Sequence, residues 1–145
     1  MSAQKTTHVT TNPEETEALG MRLADQLRGR IVLLRGELGA GKTTFVRGLA
    51  RGFGVTELVK SPTFVYEKIY TGNTGLVVHH LDLYRFEKIP AEFTEHLREL
   101  FASGDTIIIE WPERIFAELL PLQRVELHFK EIDEGREIVI NEKMM

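Results

Sequence analysis

The residues with the clearest chemical purpose run Gly36-Glu37-Leu38-Gly39-Ala40-Gly41-Lys42-Thr43. They satisfy the phosphate-binding pattern G-x-x-x-x-G-K-S/T at every fixed position. Glycines at 36, 39 and 41 let the backbone curl so that its N–H groups point at phosphate oxygens, and a helix starting there adds its positive end. Lys42 then reaches the β- and γ-phosphates, Thr43 offers a hydroxyl to Mg²⁺, and Thr44 is well placed for the α-phosphate. A predicted strand before the loop and a predicted helix after it separate this reading from an ordinary glycine-rich turn.

A nucleoside triphosphate site also needs a carboxylate on the far side of the metal, usually at the end of a buried strand. Two residues qualify. Glu110 follows the apolar run 106–109 and Asp82 follows 76–81; either acid alone is equally an exposed strand end, and the phosphate loop makes both candidates. Ser61-Pro62-Thr63 lies where a segment sensing the γ-phosphate through a threonine hydroxyl commonly sits, although such a tripeptide is also an ordinary loop. His79 and His80 are adjacent in a strand and point to opposite faces, so they cannot readily chelate one ion, and packing or surface roles are expected. Trp111, the only tryptophan, is either a core aromatic or a ligand-side residue.

These residues need elements to hold them. Residues 13–27 carry Pro13, Glu14 and Glu15 at the start and Leu19, Leu23 and Leu27 every four positions, which predicts an amphipathic helix. Residues 30–35 read as a strand buried on both faces, and 42–52 as the helix after the phosphate loop. Strands at 64–70 and 76–81 about a turn at 72–75 form a predicted hairpin. A helix at 90–102, a strand at 106–109 and a short helix near 113–120 follow. Runs at 124–132 and 137–141, joined at Asp133-Glu134-Gly135-Arg136, predict a second hairpin. The expected fold is α/β: a P-loop NTPase-like mixed sheet with a parallel centre, antiparallel hairpin strands and helices on both faces. Its ligand belongs at the C-terminal ends of the parallel strands.

Length and composition bound this reading. The 145 residues suit one domain, and 42% hydrophobic with 28% charged residues is the composition of an ordinary globular protein. The longest aliphatic run, 31–34, is far below the roughly 20 residues that span a bilayer. No cysteine is present, which removes thiol nucleophiles, disulfides and cysteine-ligated metals. The polar first ten residues resemble no targeting signal, so a cytoplasmic protein without membrane attachment is expected. A net charge of −4 gives the whole surface no electrostatic claim on nucleic acid.

Among phosphate-loop classes, a GTPase is disfavoured because neither Asn-Lys-x-Asp nor Asp-x-x-Gly occurs. A small-molecule kinase needs an arginine-bearing lid, for which residues 85–102, with Arg85 and Arg98, are the only insert. An ATPase that drives a partner's cycle needs only the loop, a metal acid and a switch.

Four ordered strings then resemble the TsaE (YjeE) family: residues 36–45, Lys60-Ser61-Pro62-Thr63, His80-Leu81-Asp82-Leu83-Tyr84-Arg85, and Ile109-Glu110-Trp111-Pro112. Glu15-Thr16 and Gly135-Arg136-Glu137 resemble it as well. The resemblance implies an ATPase required, with the TsaD and TsaB proteins, for making threonylcarbamoyladenosine beside the tRNA anticodon, with tRNA reached through the complex. Carried to these positions, it implies Thr43 and Glu110 on Mg²⁺, Lys42 on the phosphates of ATP or ADP, and Asp82 organising metal or attacking water. The nucleotide contacts so implied are Thr11, Glu37, Leu38, Gly39, Ala40, Gly41, Lys42, Thr43, Thr44, Thr63, Trp111 and Arg136; the catalytic set is Lys42, Asp82 and Glu110. Residues 90–97 depart from the family's usual Pro-Glu-Glu-Leu-Glu and following glycine, which bears on the shape of that helix.

Overall fold

The computed structural model describes residues 4–37, 39, 41–57, 67–119 and 122–143. Seven strands form one mixed sheet in the order β1-β7-β6-β2-β5-β4-β3. Its centre is parallel: β2 (Ile31–Gly36) lies between β6 (Arg124–Ile132) and β5 (Thr106–Glu110), and β4 (Val77–Asp82) continues in the same direction beside β5. Antiparallel strands close both margins, β3 (Glu67–Thr71) on β4, and β7 (Gly135–Lys143) on β6. The expected mixed α/β sheet is therefore present.

The run of apolar residues in β2 has a simple cause. Val32 and Leu34 face one core, with Ile108 and Leu127, beneath α1 (Pro13–Leu27) and α2 (Lys42–Gly52); Leu33 faces a second core, with Leu81 and Ile107, beneath α3 (Ala91–Ser103). A strand covered on both faces cannot alternate apolar with polar residues. Helix α1 clamps α2 from outside through a very close backbone approach: a Cβ at Gly48 would come 1.9 Å from the Glu17 carbonyl oxygen. Only glycine admits that spacing, and it fixes where the N-terminus of α2 points.

Element boundaries fall within two residues of expectation for most segments. A 3₁₀ turn at Pro112–Ile115 and a four-residue helix α4 (Phe116–Leu119) occupy the predicted short helix. In the first hairpin, β3 starts at Glu67 among the described residues, and 64–66 lie outside them. One element was not expected: Gln4–Thr10 is a strand, β1, at the sheet margin. An edge strand with one covered face needs little apolar content, so its Thr6, His8 and Thr10 carry no strong period-two signal.

Helix α3 also settles the shape of the divergent segment. It ends at Gly104 with φ +81°, and Leu97 and Leu100 enter the second core. It is thus the crossover between β4 and β5, packed on the face opposite α2. It is not a lid over the phosphate loop, and Arg98 pairs with Glu95 on its exposed side. No helix among the described residues is long and apolar enough to cross a membrane.

Candidate functional site

A cleft of about 330 Å³ opens at the C-terminal edge of the parallel strands, where an open α/β sheet places its ligand. Helix α2 forms its floor. Gly41 caps this helix with φ +100° and no side-chain hydrogen bond, so the first-turn N–H groups remain for a ligand and carry the positive end of the helix dipole. Thr43 and Thr44 line the cleft from that turn.

Lys42 is 5% exposed. Its Nζ donates to the Gly36 carbonyl at 2.7 Å and stands 4.2 Å from the centre of the Trp111 ring. Burial pushes its pKa below the usual lysine value, while Glu110, Asp82, Glu113 and Glu37 oppose that shift. The result is an ammonium held close to a π-face and carboxylates with little water, a state in which an incoming anion gains full benefit of the charge.

The two acids expected at strand ends are Cα partners across β4 and β5, Asp82 opposite Glu110. Parallel register alone brings them to one edge. Asp82 Oδ1 accepts the Tyr84 backbone N–H at 2.9 Å as the chain leaves β4. Glu110 is 4% exposed, and its Oε2 lies 2.6 Å from His80 Nε2. Trp111 turns the chain away from β5 with φ +60° and packs on Tyr84, ring centres 4.8 Å apart. It is half-buried, packing against the second core while also lining the cleft.

The opposite wall comes from both ends of the chain. Antiparallel pairing of β1 with β7 sets Thr10 against Arg136. Arg136 donates through Nη2 to the Gly39 carbonyl at 3.1 Å and through Nη1 to the Gly135 carbonyl at 3.1 Å, which fastens β7 to the phosphate loop. Asn12 caps α1 by accepting the Glu15 N–H at 2.9 Å, and Glu15 accepts both the N–H and the hydroxyl of Thr11. The Thr10 and Thr16 hydroxyls bond to each other at 2.6 Å in a buried position.

A model of the family described as Threonylcarbamoyl adenosine biosynthesis protein TsaE matches residues 10–138. The chain belongs to the TsaE family. It is 40% identical over 132 residues to the Bacillus subtilis tRNA threonylcarbamoyladenosine biosynthesis protein TsaE, spanning 89% of this chain and 80% of that one. The Treponema pallidum protein of the same name is 38% identical over 113 residues, 77% of this chain and 82% of its own. The crystal structure of Bacillus subtilis YdiB superposes with a TM-score of 0.78 at 34% identity, covering 98% of this chain and 88% of that one. The TsaE family is one of tRNA threonylcarbamoyladenosine biosynthesis.

Of the residues that the TsaE resemblance implied, Thr11, Gly39, Gly41, Lys42, Thr43, Thr44, Asp82, Glu110, Trp111 and Arg136 all line the cleft. Glu37 acts on Lys42 through its charge. Leu38, Ala40 and Thr63 lie outside the described residues. His79 and His80 do point to opposite faces: His79 bridges Glu67 and Asp105, at 3.0 and 2.9 Å, whereas His80 reaches Glu110. His80 is packed inside, one of the two roles expected for it, and it bonds Glu110 as well. Thr10, Asn12, Pro13, Thr16 and Gly135 also line the cleft, with no site role expected for them from sequence. Asn12-Pro13 with Glu15 three residues after the cap is a helix-start signature that marks the segment, but only the β1–β7 pairing brings it to the cleft.

Proposed function

We propose that the cleft binds ATP with Mg²⁺ and hydrolyses it slowly, and that hydrolysis serves a cytoplasmic complex with TsaD and TsaB that forms threonylcarbamoyladenosine on tRNA. The observation that carries this reading is the convergence of a buried lysine, an uncapped helix N-terminus and an in-register carboxylate pair on one cleft. The donor set fits Mg²⁺: one hydroxyl and one or two carboxylates are hard oxygen ligands, and Mg²⁺ ordinarily takes only that many from protein beside phosphates and water. Thr43 and Glu110 would hold it, and when bound it neutralises charge on the β- and γ-phosphates.

In this reading Lys42 exchanges the Gly36 carbonyl for phosphate oxygens, and the amides of the first α2 turn bind the remaining oxygens. Asp82 orients a water whose oxygen attacks the γ-phosphorus; the bond to the β-phosphate oxygen breaks, giving ADP and phosphate. Arg136, fastened to Gly39, steadies the loop and the nucleotide from the other wall. Among the described residues Arg136 is the arginine that lines the cleft, and it is engaged by the Gly39 and Gly135 carbonyls; a charge supplied in trans is worth about 10³–10⁵ in rate for phosphate-loop enzymes. Slow turnover by the chain alone and acceleration by TsaD with TsaB are therefore expected in a phosphate-release assay. Fast turnover alone, or transfer of phosphate to a small metabolite, would replace the proposal with a kinase.

A further inference from the structure

We infer that His80 is a positioning residue for Glu110 and thereby sets how strongly Mg²⁺ tightens nucleotide binding; the inference rests on the nucleotide reading above. His80 is fully buried, and its Nε2 stands 2.6 Å from Glu110 Oε2. A carboxylate that holds a metal ion can only accept, so in the state that would hold Mg²⁺ the hydrogen of this contact sits on Nε2 and His80 donates. The other ring nitrogen, Nδ1, is buried with no hydrogen-bond partner among the described residues. Packing alone argues against that choice of residue: a leucine would fill the same space beside Val78 and Ile108 and leave no nitrogen without a partner. What the histidine adds is the donor to Glu110.

That donor acts at a useful place. Glu110 ends β5 opposite Asp82, and the His80 bond occupies Oε2 while leaving Oε1 for the cleft. A tethered carboxylate keeps one orientation instead of sampling several, which raises its worth as a metal ligand; groups that orient metal ligands in this way commonly matter 10- to 100-fold. His80 itself is fully buried and does not line the cleft.

The test is calorimetric titration of the full chain with ADP, once with Mg²⁺ and once with EDTA, for His80→Leu, His80→Gln and His80→Asn. Gln extends a donor to about the position of Nε2; Asn is too short. With Mg²⁺, His80→Leu and His80→Asn should lose roughly 10- to 100-fold in affinity, His80→Gln should retain most of it, and in EDTA all should match the unsubstituted chain. Unchanged affinity in His80→Leu with Mg²⁺, or equal losses with and without Mg²⁺, would overturn the inference while leaving the nucleotide reading intact. Should His80→Leu fail to fold, equal Mg²⁺ dependence in the Gln and Asn variants would overturn it as surely. Absence of ADP binding by the unsubstituted chain would overturn the nucleotide reading and this inference with it.

Discussion

One wall of the cleft consists of Lys42, Asp82, Glu110 and Trp111, delivered by the turn after β2 and by the ends of two neighbouring parallel strands. The facing wall consists of Thr10, Thr11 and Arg136, delivered by an antiparallel pairing between strands more than a hundred residues apart. The first wall is buried and charged: Lys42 and Glu110 are each almost wholly covered. The second is more open: Thr10 is covered, but Thr11 is exposed and Arg136 half-buried. Charge held away from water discriminates strongly between an empty and an anion-filled cleft, whereas exposed hydrogen bonds exchange with water at little net cost. On the proposed function, chemistry belongs to the first wall and shaping of the loop to the second.

Four substitutions probe that difference, in falling order of effect. Lys42→Ala removes the buried cation proposed to meet phosphate, and a charged hydrogen bond of about 3 kcal/mol corresponds to roughly 100-fold in affinity; calorimetry with ATP should show at least that loss. Asp82→Ala should lower turnover about 10²–10⁴-fold while changing ADP affinity little, which a phosphate-release assay beside calorimetry can resolve. Equal damage to binding would move Asp82 into the metal-holding role.

On the opposite wall, Arg136→Ala removes the bond to the Gly39 carbonyl. A single such bond is worth about 1 kcal/mol, so ADP affinity should fall only about fivefold, readable in Trp111 fluorescence. A loss as large as that of Lys42→Ala would erase the distinction between the walls. The smallest effect concerns Glu15, whose carboxyl is held below its usual pKa first by the Thr11 N–H and then by the Thr11 hydroxyl. Because the folded pKa is depressed, this contribution is present above the unfolded carboxylate value and is lost as pH falls through the folded one. The unfolding midpoints of the native chain and Glu15→Gln should differ slightly at neutral pH and converge in acid.

Sequence legibility divides along the same line. Lys42, Thr43 and Thr44 were readable because the phosphate loop is a local string, and Asp82 and Glu110 because a buried strand leaves an apolar run that stops at an acid. Their alignment opposite each other follows from parallel register. Thr11, Thr16 and Arg136 come only from resemblance, and Thr10 not at all, because nothing local in a polar edge strand reports which distant strand it will join. Strand alternation gives the face of His80, whereas its bond to Glu110 depends on the neighbouring strand. Helix α3 was foreseen as an element, yet its service as a crossover depended on where Leu97 and Leu100 found a core.

The Thr10–Arg136 pairing has a further consequence for how the protein is made. A chain leaving the ribosome N-terminus first presents the phosphate loop early, yet that loop lacks its second wall until β7 emerges and β1 finds it. Gly135, where an added Cβ would sit 2.1 Å from the Thr10 carbonyl oxygen, makes this late closure sterically exacting. Long-range strand pairing is slow because chain entropy must be lost before contacts form. A nascent chain stalled before residue 136 would thus carry an intact phosphate-loop string without a finished cleft, and on the proposed function nucleotide retention would report that synthesis had passed that residue.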